Sequence, residues 1–177
     1  MDQERLWAPW RLGYIKGGEQ PPPPPEPSAW LPGADHDCFL CRAAADHSDP
    51  DADRKLLVLA RTDLVVVVLN RYPYSNGHLL VSPRRHLAQL ADLDDDTLLA
   101  TSQMLRTMTE RLTERLGAQG CNVGLNMGQV AGAGVPGHLH WHVVPRWPGD
   151  HNFMPVTAGA RVLPQSLEEA WETLRIE

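Results

Sequence analysis

The chain has 177 residues, 42% of them hydrophobic, with a formal net charge of −6. Those figures fit a single globular domain with added segments, and the acidic balance gives no electrostatic support to nucleic-acid or membrane-surface binding. The longest apolar run, Leu64–Leu69, is far too short to span a bilayer.

The elements read as follows in chain order. Residues 1–15 are rich in large apolar groups (Leu6, Trp7, Trp10, Leu12, Tyr14, Ile15) and are expected to dock on the domain or on a second subunit. Charges at Asp2, Glu4 and Arg5 lead into Trp7 with no apolar core behind them, so no signal-peptide pattern is present and a cytoplasmic protein is expected. Pro21–Pro25 and Pro27 read as a surface spacer. Residues 1–37 are therefore expected to form an arm and linker, and 38–177 the compact domain.

Asp46–Arg54 reads as a polar acidic loop. Leu56–Leu59 and Leu64–Leu69 read as strands, with a tight turn at Arg61-Thr62-Asp63 between them. Asn70–Gly77 is turn-rich, and His78–Pro83 reads as the next strand. Asp92–Leu116 reads as an amphipathic helix. Its acidic start is Asp94-Asp95-Asp96, its apolar face is Leu98, Leu105, Met108, Leu112 and Leu116, and Gly117 and Gly120 end it. Asn122–Met127 is a further strand, followed by a glycine-rich loop, Gly128–Gly137. Ser166 with Glu169 is a capping box for a C-terminal helix bearing Leu167, Trp171 and Leu174. The sum is an α+β domain built on an antiparallel sheet.

The run from Gly137 to Pro145 carries the chemistry. In an extended strand His138, His140 and His142 share one face, while Leu139, Trp141 and Val143 share the other. Core packing needs no row of imidazoles. Metal ligation and covalent work on a phosphoryl group do. Three histidines in a line do not converge readily on one tetrahedral metal. A neutral imidazole is a competent nucleophile toward phosphorus, and its ordinary pKa of about 6.5 keeps it neutral near pH 7. The glycines of Gly128–Gly134 let backbone amides approach phosphate oxygens, although no Gly-Lys-Ser/Thr P-loop follows.

Three cysteines are present. Cys38-x-x-Cys41 has the spacing of two thiolates on one structural zinc, with His86 and His138 able to complete a set of four. A redox pair and metal-free thiols are the alternatives.

Together these blocks resemble the histidine-triad (HIT) superfamily. His138-Leu139-His140-Trp141-His142-Val143-Val144 meets its signature, and Asn70-Arg71-Tyr72-Pro73-Tyr74 with Gly77-His78-Leu79-Leu80-Val81 resembles its nucleotide-side strands. Asn122–Gly128 resembles the strand before the triad. The tail from His142 through Arg146, Trp147, Gly149 and Asp150 to Asn152-Phe153 resembles the diadenosine-tetraphosphate phosphorylase-like branch, as does Leu6-Trp7-Ala8-Pro9-Trp10-Arg11. The resemblance implies a five-stranded HIT-like sheet with a long helix and a C-terminal helix. It also implies nucleotidyl transfer from an adenosine nucleotide such as a dinucleoside polyphosphate.

In that reading His140 carries the nucleotidyl group, His142 acts at the phosphate and leaving group, and His78 backs the row. Asn70 meets the ribose, Asn126 lies near the phosphate, and Gly132 and Gly134 supply loop amides. Zn2+ is structural on Cys38, Cys41, His86 and His138. A homodimer is implied, with inorganic phosphate or water as acceptor. Phosphoramidate hydrolysis and a zinc-stabilised nucleotide binder with little turnover are the other readings. One departure is Ala131-Gly132-Ala133-Gly134, where many members carry a Gln or Ser side chain. It leaves the leaving group and acceptor open.

Overall fold

The structure is a computed structural model that describes residues 23–150 and 165–176. The expectations for Trp7, Trp10, Asn152 and Phe153 lie outside these residues.

Two short helices, α1 (Phe39–Ala44) and α2 (Ala52–Leu56), precede the sheet. The strands are β1 (Val58–Arg61), β2 (Val65–Leu69), β3 (Leu79–Pro83), β4 (Gly120–Leu125) and β5 (Trp141–Arg146). Helix α3 (Asp95–Leu116) lies between β3 and β4, and α4 (Leu167–Leu174) follows β5. The sheet has the order β1-β2-β3-β5-β4, and every neighbouring pair is antiparallel. This is the expected five-stranded α+β architecture.

The alternation of a strand explains the two layers. Val65, Val67, Leu69, Leu79, Val81 and Val143 face Met108 and Leu112 of α3 and Trp171 and Leu174 of α4. Val66, Val68 and Leu80 face the opposite way, onto Leu40, Cys41, Ala43 and Ala44 of α1. With both faces covered, β2 is apolar throughout and fully buried. In the β3–β5 ladder Leu80 pairs with His142, so His142 stands on the α1 side of the sheet.

Several boundaries move from the sequence reading. Leu56 closes α2 rather than opening a strand, and part of the expected acidic loop is that helix. Leu57 has φ 61, the left-handed turn that separates α2 from β1. Arg61 belongs to β1, and the following turn is closed by the Thr62 amide donating to the Val65 carbonyl at 2.8 Å. The strand expected from His78 begins at Leu79. Helix α3 starts at Asp95 because the Asp94 side chain caps it, accepting from the Thr97 amide at 2.7 Å.

Its inner face is Thr97, Thr101, Met108 and Leu112; Leu98 points outward. Gly117 ends α3 in the left-handed region, whereas Gly120 opens β4. That strand runs over Gly120–Leu125 rather than Asn122–Met127. The Ser166–Glu169 capping box of α4 is formed as expected.

The triad strand is also shorter than expected. Regular pairing begins at Trp141, so His138 and His140 precede it. Before that point Leu139 is held by other means. Its amide donates to the Leu87 carbonyl at 2.7 Å, and its carbonyl accepts from Ser82 Oγ at 2.7 Å. Strand β3 ends at Pro83, which has no amide to continue a ladder, and its carbonyl is taken by the His138 ring at 2.9 Å.

Candidate active site and metal centre

Leaving the ladder lets the three histidines serve two centres. His138 turns toward α1, while His142 stands beside His78 and His140 beside His142. His78, His138 and His140 are buried to 4% exposure or less, and His142 is half-buried.

The hydrogen bonds fix where the protons sit. His78 Nδ1 accepts from the Tyr74 amide at 3.1 Å and also faces Asn70 Nδ2 at 3.3 Å. A neutral His78 therefore carries its proton on Nε2, which faces His142 Nδ1 at 3.0 Å and donates to it. His142 Nδ1 is thereby an acceptor, and the proton of His142 lies on Nε2. That Nε2 is buried and has no hydrogen-bond partner among the described residues.

Burial, with the neighbouring His140 adding to it, holds His142 below the ordinary histidine pKa. The result is a neutral N–H donor. His140 is set the opposite way: its Nδ1–H donates to the His138 carbonyl at 2.8 Å, which leaves a lone pair on Nε2. The His140 and His142 rings are 5.2 Å apart. A nucleophilic nitrogen and an unspent donor thus stand side by side.

The sequence reading assigned no role to Tyr74. Its backbone starts the chain of proton assignments, and its ring stacks 4.7 Å from His78 and 5.8 Å from His142. The available signal was the Asn-x-Tyr turn: Asn70 Oδ1 accepts from the Tyr72 amide at 2.9 Å and folds the loop back. Asn70, expected at the ribose, is thus engaged at both ends of its side chain within this turn. Asn126 Nδ2 would lie 4.0 Å from a Cβ at Gly132, which has φ +86 and closes the short turn Gln129–Ala131. Gly134 has open space around it.

Arg84 binds the Ala44 carbonyl and Asp46, Arg85 pairs with Asp94, and Arg146 is held by Asp150 and Asn122.

Cys38 and Cys41 bracket the first turn of α1. Their sulfurs and the ring nitrogens of His86 and His138 lie within 4.8 Å of one another. Cys38 Sγ is 3.4 Å from His138 Nδ1, Cys41 Sγ is 3.1 Å from His86 Nδ1 and 3.5 Å from His138 Nδ1. A zinc tetrahedron with ordinary Zn–S and Zn–N bonds has edges of roughly 3.3–3.8 Å. The donor set and spacing therefore fit zinc.

The Cys38 thiol is held down to about 4 by the hydrogen bond from Cys41, opposed by burial and assisted by His138. The same bond and burial push Cys41 up. One thiolate is thus available at neutral pH, and a metal would take the second proton's place. His138 Nε2 donates to the Pro83 carbonyl, which orients the ring so that Nδ1 faces the sulfurs.

The HIT domain model matches residues 52–149. The chain is 36% identical over 177 residues to an AP-4-A phosphorylase of Mycobacterium tuberculosis, covering 98% of this chain and 84% of the relative. It is 28% identical over 109 residues to an adenosine 5'-monophosphoramidase of Schizosaccharomyces pombe, covering 62% of this chain and 74% of that one. Among solved structures, a Zn-bound histidine triad family protein from Mycobacterium smegmatis aligns with a TM-score of 0.56 at 30% identity, over 67% of this chain and 81% of that chain. The triad His138-x-His140-x-His142, the five-stranded sheet and these likenesses agree: the chain belongs to the HIT-domain family.

Proposed function

We propose that this protein transfers a nucleotidyl group from an adenosine nucleotide, with a dinucleoside polyphosphate as substrate and His140 as the covalent carrier. The observation that carries the reading is the pair of opposed tautomers. His140 offers a lone pair on Nε2, and His142 offers beside it a buried Nε2–H with no hydrogen-bond partner among the described residues. In the first step the lone pair of His140 forms a P–N bond to the α-phosphorus. The P–O bond to the leaving polyphosphate breaks, and that oxygen keeps the electron pair. His142 donates to a phosphoryl or leaving oxygen as charge develops there. The His138 carbonyl, accepting from Nδ1–H, stabilises the imidazolium character that His140 acquires. In the second step an oxygen of inorganic phosphate or water attacks phosphorus, the P–N bond breaks and its electron pair returns to His140 Nε2; a proton released by attacking water passes to solvent.

Phosphate as acceptor is the reading we favour, from likeness to the AP-4-A phosphorylase. Asn70, Asn126, Gly132 and Gly134 are assigned to nucleotide and phosphate contact, Gly132 and Gly134 through loop amides. Zinc on Cys38, Cys41, His86 and His138 would be structural, holding α1 against the segment that carries the triad. Residues 1–37 are assigned as an arm and 38–177 as the catalytic domain; the last part of the arm is anchored where Arg42 of α1 pairs with Glu26 and lies over Trp30.

A homodimer is supported by β4, a largely exposed edge strand with Val123 open to solvent. Among the described residues no helix is long and apolar enough to cross a membrane. Cys38, Cys41 and Cys121 form no disulfide among the described residues, which suits a reducing cytoplasm.

The deciding experiment is a product assay with diadenosine tetraphosphate, with and without inorganic phosphate. ADP plus ATP formed only with phosphate establishes phosphorolysis. AMP plus ATP without phosphate assigns water as acceptor. No product in either case refutes the dinucleoside-polyphosphate reading and leaves a different leaving group, such as a nucleoside phosphoramidate, or a nucleotide-binding protein with little turnover.

A further inference from the structure

The geometry points to a metal centre that positions the nucleophile, with Gly137 as the residue that allows the centre to close. His138 belongs to both sites. Its ring nitrogen Nδ1 faces Cys38 and Cys41, and two residues later the His140 ring hangs from its carbonyl by the 2.8 Å bond. The His138 backbone is not in the β-ladder; its amide donates to the Val135 carbonyl at 3.2 Å, and its carbonyl belongs to the peptide unit whose Leu139 amide donates to the Leu87 carbonyl at 2.7 Å, one residue after His86. The ring adds two further holds: Nε2 on the Pro83 carbonyl and Nδ1 in the cysteine–histidine set. A metal on Nδ1 would tie the residue through that ring, and with it the acceptor that keeps the His140 proton on Nδ1. Loss of the tie loosens both the His138 ring and His86, whose neighbour Leu87 anchors that peptide unit, so that the carbonyl can turn and the His140 proton can move to Nε2, where it would block attack.

Gly137 enters because the fourth donor packs directly upon it. A Cβ built at position 137 would lie 3.0 Å from His86 Nε2 and 3.5 Å from His86 Cε1. The His86 ring therefore sits between Gly137 and Cys41, whose sulfur is 3.1 Å from its Nδ1. A methyl group there requires the His86 ring to shift by a few tenths of an ångström from its place beside Cys41. Gly137 is thus a positioning residue for the metal, one position before the residue that holds the nucleophile.

This inference takes its meaning from the nucleophilic reading of His140, but its test reads metal and imidazole protons rather than turnover, so the two can fail separately. Zinc affinity is measured by chelator competition for the wild type, Gly137→Ala and Gly120→Ala, position 120 having open space around its Cα. Gly137→Ala is expected to weaken zinc on the order of tenfold or more, as perturbing the support of a ligand does, and Gly120→Ala to leave it unchanged.

The His140 Nδ1–H resonance, identified by its loss in His140→Ala, is then followed by nitrogen-15 NMR. It is expected to be sharp with zinc and to broaden or vanish on chelation while circular dichroism stays native. Should chelation unfold the chain, zinc is exchanged for the larger cadmium ion in the folded protein. The His140 resonance is then expected to shift while the His78 Nε2–H resonance stays in place. Equal zinc affinity in Gly137→Ala and wild type overturns the role of Gly137. A His140 resonance indifferent to chelation in the folded protein, or to the identity of the metal, overturns the coupling.

Discussion

Replacing His78 by leucine tests whether the relay governs the His142 proton. His78 is fully buried, and leucine fills much the same space without a ring nitrogen. Three polar groups lose their contact with the ring: the Tyr74 amide, Asn70 Nδ2 and His142 Nδ1. Leaving a buried group unsatisfied costs about 1–3 kcal/mol, and His142 is only half-buried, so the expected destabilisation is about 2–4 kcal/mol. A domain of this size has about 5–15 kcal/mol to lose, so the variant should remain folded.

The larger effect should fall on chemistry. Without the donor from His78, the His142 proton is free to sit on Nδ1, and Nε2 then presents a lone pair to the phosphate. Losing one such donor costs about 10²–10³-fold in rate. Urea unfolding gives the first quantity, and quenched-flow transfer from diadenosine tetraphosphate gives the second. A folded His78→Leu protein whose transfer step is slowed by less than about tenfold would refute the relay.

Gly77→Ala should be destabilising by about 2–4 kcal/mol. The residue has φ +69, and a Cβ there would lie 2.6 Å from Leu116 Cδ1, which combines left-handed strain with overpacking; a urea midpoint equal to wild type would contradict this. Cys41→Ser should lose zinc binding and lower the thermal midpoint, because it removes the sulfur nearest His86; retention of zinc at wild-type affinity would remove Cys41 from the ligand set.

The pH dependence of stability should carry the mark of His142. Its folded pKa lies below the ordinary value of about 6.5, so as pH falls through that value the unfolded chain takes up the proton first. His142 therefore adds to the loss of stability on acidification below about pH 6.5, and His142→Gln should show a shallower decline in urea midpoint; equal slopes would show that His142 does not titrate this way.

Much of the architecture was legible in local signals. The Asp94 cap, the Gly117 terminus and the Ser166–Glu169 box need only neighbours a few residues away, and the α-helical and β-strand periods did the rest. The strand boundaries were less legible because side-chain and loop bonds set them. Leu139 looks like a strand residue by alternation, yet its amide goes to Leu87 and its carbonyl to Ser82, contacts made across long sequence separations. Leu98 fits an apolar period but lies off the buried face, which two threonines occupy. The histidine alternation alone did not divide the triad; the Cys38-x-x-Cys41 spacing offered His138 to the metal set and the family resemblance put His78 behind the row, while the contacts themselves, His138 turned to the cysteines and His142 joined to His78, are seen only in the fold. The proton assignments rest on the Tyr74 amide, a backbone group that carries no signature in a side-chain pattern.

The central claim is that His140 carries the nucleotidyl group. The most direct test mixes the protein with diadenosine tetraphosphate in the absence of phosphate, quenches within the first turnover, and maps adducts by mass spectrometry of the digested chain. The account expects one adenylyl group on the peptide containing His140, lost on addition of phosphate and absent from His140→Ala. Turnover with no adduct at any quench time, or an adduct on another residue that persists in His140→Ala, would contradict it.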